Sequence, residues 1–175
     1  MRMHGDPLYF IEADLRHLEQ AIEEVRQQIR HAKHEAAESV EQSSESWHDN
    51  FTFEETQRQL RMLLNHLGGL SKQRERAVLV EIPTRPERVE IGAKVTFTGL
   101  GDGEETLILG SANVSTALSE LGAVSYLSPV GSLLLGARIG ETRSGTISGR
   151  NVTLTISAVR AAEELLDDRT GSADA

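Results

Sequence analysis

The sequence predicts an α+β chain of two domains, a long antiparallel α-helical coiled-coil hairpin followed by a small antiparallel sheet domain. Three observations predict it. Leu8, Ile11, Leu15, Leu18, Ile22, Val25, Ile29, Ala32 and Ala36 recur at alternating spacings of three and four, which lays one narrow apolar seam along a helix. Phe53, Leu60, Leu63, Leu67 and Leu70 repeat that periodicity after a polar stretch from Glu41 to Asn50, wide enough to reverse the chain. Near residue 80 the composition then shifts from long helix-forming side chains to β-branched residues and glycines. The divisions drawn from this are a hairpin over 1–80 with an acidic tip at 41–53, a linker over 81–88, a sheet domain over 89–162 and a disordered acidic tail over 163–175.

The first helix is expected to begin near Asp6 and Pro7, because Asp caps a helix N-terminus well and Pro is tolerated in the first turn. It is expected to run for roughly 36 residues, about 55 Å at 1.5 Å per residue. Glu12, Arg16, Glu19, Glu23, Arg26, Arg30, Lys33 and Glu35 form a solvated outer face of mixed sign. The second helix is expected over Thr52 to Arg76. Gly68 and Gly69 lie inside it and cost about 1 kcal/mol each relative to alanine, so a bend or an early end of tight pairing is expected there.

Pro83, Arg85 and Pro86 mark the linker, since proline lacks a backbone donor and forces the preceding residue towards extended conformations. Strand-like runs follow at Val89 to Thr98, Thr106 to Leu109, Val124 to Leu127, Thr142 to Ile147 and Asn151 to Val159. In the last run Val152, Leu154, Ile156 and Ala158 are expected to face the core while Thr153, Thr155 and Ser157 face solvent. Turns are expected at Gly99 to Gly103 and at Ser148 to Arg150, and one short helix over Gly131 to Gly136, started by Ser128 and Pro129.

Bulk properties narrow the function. A formal net charge of −9 disfavours independent DNA binding, which relies on clustered Lys and Arg to displace counterions. Lys72, Arg74, Arg76, Arg85 and Arg88 form the basic concentration; it fits either a modest RNA contact or solvated cations at a helix end. Without cysteine there is neither a disulfide nor a thiolate metal site. No segment approaches the ~20 apolar residues of a membrane span, and the N-terminus lacks a signal peptide's apolar core, so a cytoplasmic, monomeric protein is expected. His31, His34 and Glu38 share a helix face but lack a fourth ligand. Gly99 to Gly103 lacks the Lys-Ser/Thr ending of a phosphate loop, and no Gly-x-Ser-x-Gly elbow occurs.

The order of these parts, with the run Val124 to Gly136 (strand, Ser128-Pro129, short helix, glycine) and the closing strand pair, resembles the Gre transcript-cleavage factors of bacterial RNA polymerase. The resemblance spans roughly Leu8 to Val159. It implies a C-terminal domain of FKBP-like fold that docks on the rim of the polymerase secondary channel, with Ser128, Pro129, Val130, Leu133, Leu134 and Gly136 in the docking segment. An ordinary core strand-turn-helix would account for the same residues. The hairpin would reach through the channel to the active centre, where the family's tip carboxylates help hold a second Mg2+ and orient water. Magnesium suits such a role because it prefers hard anionic oxygens and keeps several waters.

The tip departs from the family pattern. Glu45-Ser46-Trp47-His48-Asp49-Asn50-Phe51-Thr52-Phe53 places Asp49 and Asn50 at the family's Glu-Asn, Phe53 at its Tyr, and Ser46 at its Asp. Asp49, with Glu45 if the turn shifts by one residue, would share a metal held mainly by polymerase; the chain has no cofactor of its own. Trp47, His48, Asn50 and Phe53 would position the tip, with Trp47 either capping the coiled coil or stacking on the nascent RNA 3′ end. Two outcomes stay open, cleavage stimulation and a non-cleaving, inhibitory factor; in either case the chain is not an enzyme by itself. The alternatives outside this reading are a coiled-coil adaptor with no role at the polymerase centre and a prolyl isomerase, for which 4% aromatic content leaves little to line an apolar proline pocket.

Overall fold

The computed structural model describes the backbone of residues 5–42 and 50–166, and the side chains of 5–37 and 54–166. It divides into two compact units. One joins residues up to Leu15 with those from Ala77 onwards, and the other comprises Arg16–Arg76.

The chain opens with a short strand, β1 (Leu8–Phe10), and not with a helix. Leu8 fits the helical spacing, but β1 pairs in parallel with β2 (Ala77–Leu79), register Leu8↔Ala77 to Phe10↔Leu79, and that non-local ladder overrides the local pattern. The helix α1 therefore starts later, at Glu12, and runs to Gln42, 31 residues or about 46 Å. Ile11, Leu18, Ile22, Val25, Ile29 and Ala32 are buried along it, the seam that the sequence marks out.

The second helix, α2, spans Asn50–Glu75. Leu60, Leu63 and Leu67 are half-buried and Leu70 is buried, again at spacings of three and four. The pairing does not end early at Gly68 and Gly69: the helix continues through them and Leu70, beyond them, is 8% exposed. Past them too, Arg74 Nε lies 2.7 Å from Glu19 Oε1, which ties the end of α2 to the start of α1 as an antiparallel hairpin requires.

The sheet domain holds five strands in the order β5-β4-β3-β7-β6. They are β3 (Ala93–Thr98), β4 (Glu104–Gly110), β5 (Ala123–Ser125), β6 (Thr142–Ile147) and β7 (Arg150–Ala161), all antiparallel except the β4–β5 pair. Between β4 and β5 lies α3 (Thr116–Glu120), which the sequence reading missed; Ser115 caps it by accepting from Leu118 N–H at 3.5 Å. The short helix α4 (Pro129–Leu134) follows β5. The β6–β7 turn carries Ser148 (φ 49°) and Gly149 (φ 80°), the left-handed pair that a two-residue hairpin with native twist needs.

Two cores sandwich the sheet. On one face Val95, Phe97, Leu109, Leu154, Ile156 and Val159 pack with Leu134 of α4 and with Val89. On the other, Ile108 packs with Ile11, Leu118, Ala123, Ala162 and Leu165. The expected alternation along β7 holds through Ile156 and then breaks. The register against β3 shifts between Thr96 and Phe97, so Thr96 faces Ala158 and Phe97 faces Ile156, leaving Ser157 as the extra residue of a β-bulge. Ser157 Oγ donates to Thr96 O at 3.2 Å, and Val159 takes the buried place that alternation assigns to Ala158.

Residues 163–166, expected to belong to a disordered tail, are folded. Ala162 and Leu165 are buried, α5 spans Glu163–Leu166, and Glu164 pairs with Lys94. Two well-spaced apolar side chains outweigh the acidic composition around them. Lys94 holds the Glu164 carboxyl below the usual carboxylate range, chiefly through its hydrogen bond.

Candidate functional site

The docking segment is built around a close approach of α4 to β5. Ser128 adopts extended backbone and its Oγ accepts from Gly131 N–H at 3.0 Å, satisfying a first-turn donor, while Pro129 occupies the first turn. Gly131 is required by contact and not by φ: a Cβ there would sit 2.2 Å from Ser125 O. Leu133 lies over Gly145 of β6, where a Cβ would meet Leu133 Cδ2 at 2.6 Å. The segment ends where Gly136, at φ 78°, donates its N–H to Val89 O at 2.8 Å and Val89 N–H returns to Ala137 O at 2.8 Å.

The residues expected to dock therefore divide. Leu134 is fully buried among Phe97, Leu109 and Leu154, so it belongs to the core and is corrected out of the contact set. Val130 and Leu133 pack partly against that core. Ser128 acts on the backbone of its own helix. Pro129 and Gly136 are exposed, and so are Leu135 and Ile139, the latter at 59%. Ile139 sits in a braced turn: Glu141 N–H donates to Arg138 O at 3.0 Å, and Glu141 Oε2 accepts from Arg138 N–H at 2.9 Å. The Arg138 N–H and the Arg143 guanidinium hold the Glu141 carboxyl below its ordinary range. Ile139 is absent from the sequence reading, while Leu135 lies within the expected segment and is exposed, not buried in the core.

The other expected site lies at the hairpin end. Glu45, Ser46, Trp47, His48 and Asp49 fall outside the described residues, while Asn50 and Phe53 contribute backbone to the first turn of α2. Sequence alone gives this end its electrostatics: from Glu35 to Gln57 there are seven carboxylates and no Lys or Arg. Among the described residues no group of three or more His, Asp or Glu side chains could hold a metal ion. His31 is 3.4 Å from Glu35 along its own helix. The basic concentration is partly spent within the protein, since Arg74 pairs with Glu19 and Arg88 with Glu90 at 3.1 Å. Gly99 to Gly103 is the turn between β3 and β4, closed by the pair Thr98↔Glu104. Among the described residues no helix is long and apolar enough to cross a membrane.

Residues 83–161, which hold the whole docking segment and the sheet strands β3 to β7, match the family model for the C-terminal domain of the transcription elongation factors GreA/GreB. The chain thus carries a domain similar to the C-terminal domain of GreA/GreB. No curated protein sequence matches the chain. Among solved structures, GreA factor homolog 1 (Gfh1) of Thermus thermophilus is 21% identical with a TM-score of 0.41, covering 89% of this chain and 99% of that one. Gfh1 of Thermus aquaticus is 21% identical with a TM-score of 0.40 over 89% of this chain and 99% of that one. A GreA/GreB factor of Nitrosomonas europaea is 21% identical with a TM-score of 0.33 over 88% of this chain and 98% of that one. The likeness to the Gre factors rests on residues 83–161 and not on these distant structures.

Proposed function

We propose that this chain is a Gre-like factor that binds bacterial RNA polymerase through the secondary channel and modulates transcription from within it, without being an enzyme itself. The observation that carries the reading is the combination in one chain: a Gre C-terminal domain on a chain whose paired helices of 31 and 26 residues lead to a stretch of carboxylates free of cations. In this reading Pro129, Gly136, Leu135 and Ile139 face the channel rim. Asp49, with Glu45, adds oxygen ligands to a magnesium ion that polymerase holds.

We infer further that cleavage is impaired. Ser46 stands where the family pattern has an aspartate, and a neutral hydroxyl is a far poorer ligand for Mg2+ than a carboxylate. A factor that fills the channel while supplying one ligand too few competes with cleavage-competent factors. Trp47 and Phe53 steady the tip, and Trp47 offers a stacking face to the RNA 3′ end.

The test is transcript cleavage in stalled elongation complexes with wild type, Ser46→Asp and Asp49→Ala, after co-elution with core polymerase at low salt. The expected result is co-elution of all three, weak cleavage by wild type and stimulation by Ser46→Asp of roughly tenfold or more, the scale of one restored ligand. Failure to co-elute overturns the polymerase reading. Strong wild-type cleavage that Ser46→Asp does not increase overturns the impaired-tip reading alone.

A further inference from the structure

Asp14 lies in the first turn of α1, three residues after Ile11, and is 2% exposed. It is the sole carboxylate buried to this degree among the described residues. An acid at this helical position ordinarily reaches back to the N–H of the residue that caps the helix. Here that donor is taken: Ile11 N–H donates to Ser111 Oγ at 3.0 Å, and Ser111 is itself fully buried. Asp14 turns away to the sheet domain, where Oδ1 accepts from Ser115 N–H at 2.8 Å. Ser115 simultaneously caps α3 through its own hydroxyl. The second oxygen, Oδ2, is equally enclosed and meets no hydrogen-bond donor among the described residues.

The two oxygens pull in opposite directions. Breaking the contact would leave the buried Ser115 N–H without an acceptor, which opposes opening. Keeping it encloses a carboxylate with one of its two oxygens unserved, which opposes closing, because an enclosed carboxylate needs several donors to replace its hydration. Neighbouring contacts hold the same segment: Tyr9 N–H donates to Tyr126 OH at 3.2 Å, and Ala112 N–H to Tyr9 O at 3.0 Å. Those join neutral groups and carry no such internal conflict.

We propose that Asp14 is a latch held near balance, a charged group that fastens the first turn of α1 to the α3 cap while limiting how tightly it is fastened. The inference concerns the free protein and does not rest on the polymerase reading. Its signature is the sign of one substitution. Asp14→Asn keeps the size and the oxygen that accepts from Ser115 but removes the charge, and a neutral amide costs less to enclose than a carboxylate. A plain charge-assisted hydrogen bond would be weakened by the same change.

The test is amide hydrogen exchange of full-length protein, read at Ser115 and Ile11 against amides of β3 and β7. Asp14→Asn should slow exchange at Ser115 by about fivefold or more, the scale of an enclosed unsatisfied group, with the central strands unchanged. Asp14→Ala should speed it by a similar factor. Equal or faster exchange at Ser115 in Asp14→Asn overturns the proposal and leaves Asp14 as an ordinary stabilising contact. The Asn variant decides the matter even where the Ala variant does not fold.

Discussion

Gly131 shows how one atom can fix a local structure. The distance of 2.2 Å between a Cβ at this position and Ser125 O is well inside contact, and the obstacle is backbone that cannot rotate away. Gly131→Ala should therefore force α4 off β5 and cost about 2 kcal/mol or more, in the range of overpacked cores. Chemical denaturation measures it, and a cost within error of zero would mean that α4 can shift freely. At this scale much was legible in the sequence: Ser128 as a helix start and Gly136 as a stop follow from capping chemistry alone. The role of Leu134 was not, because a short helix offers three consecutive leucines and only its placement against Phe97 and Leu109 selects the one that turns inward. Asp14 left a clue, a carboxylate three residues from Ile11 and therefore on the face that the seam buries, although its partner Ser115 lies 101 positions away.

At the scale of elements, the helices were the most legible parts, since a seam at spacings of three and four specifies its own partner. Their ends were less so. Leu8 satisfies the helical spacing and also fits a strand, and the decision belongs to β2, which lies almost seventy residues along the chain. The bulge at Ser157 escaped the sequence for a related reason: alternation within β7 is local, while the register shift belongs to its pairing with β3. Gly68 and Gly69 make the converse point, a real local weakness that tertiary pairing overrides. Nothing lies within 4 Å of a Cβ at either position, so alanine there adds helix propensity without collision. Gly68→Ala with Gly69→Ala should stabilise the protein by about 1 to 2 kcal/mol. A thermal or denaturant midpoint that does not rise would show that these glycines serve a conformation other than a straight helix.

At the scale of the whole molecule, the two compact units do not follow the chain in series. Both the residues before Arg16 and those after Arg76 belong to the sheet unit, and β1 and β2 bring the departing and returning chain side by side. A boundary near residue 80 was visible in the composition, because residue usage tracks the change from helix to strand. The contribution of residues 5–15 to the sheet unit was not, because composition cannot show that eleven residues at one end pack against strands more than ninety positions away. Topologically, the helical pair is an insertion into a domain whose own ends it interrupts. Replacing 16–76 with about six to eight glycine and serine residues, whose coil dimension is about 13 to 16 Å, should leave a sheet domain that still unfolds in one cooperative step. A noncooperative or aggregated product would show that the interruption is structural. If the graft succeeds, the length of the helical pair becomes a separable property: whole heptads could be added to or removed from both helices together while the surface that carries Ile139 stays as it is.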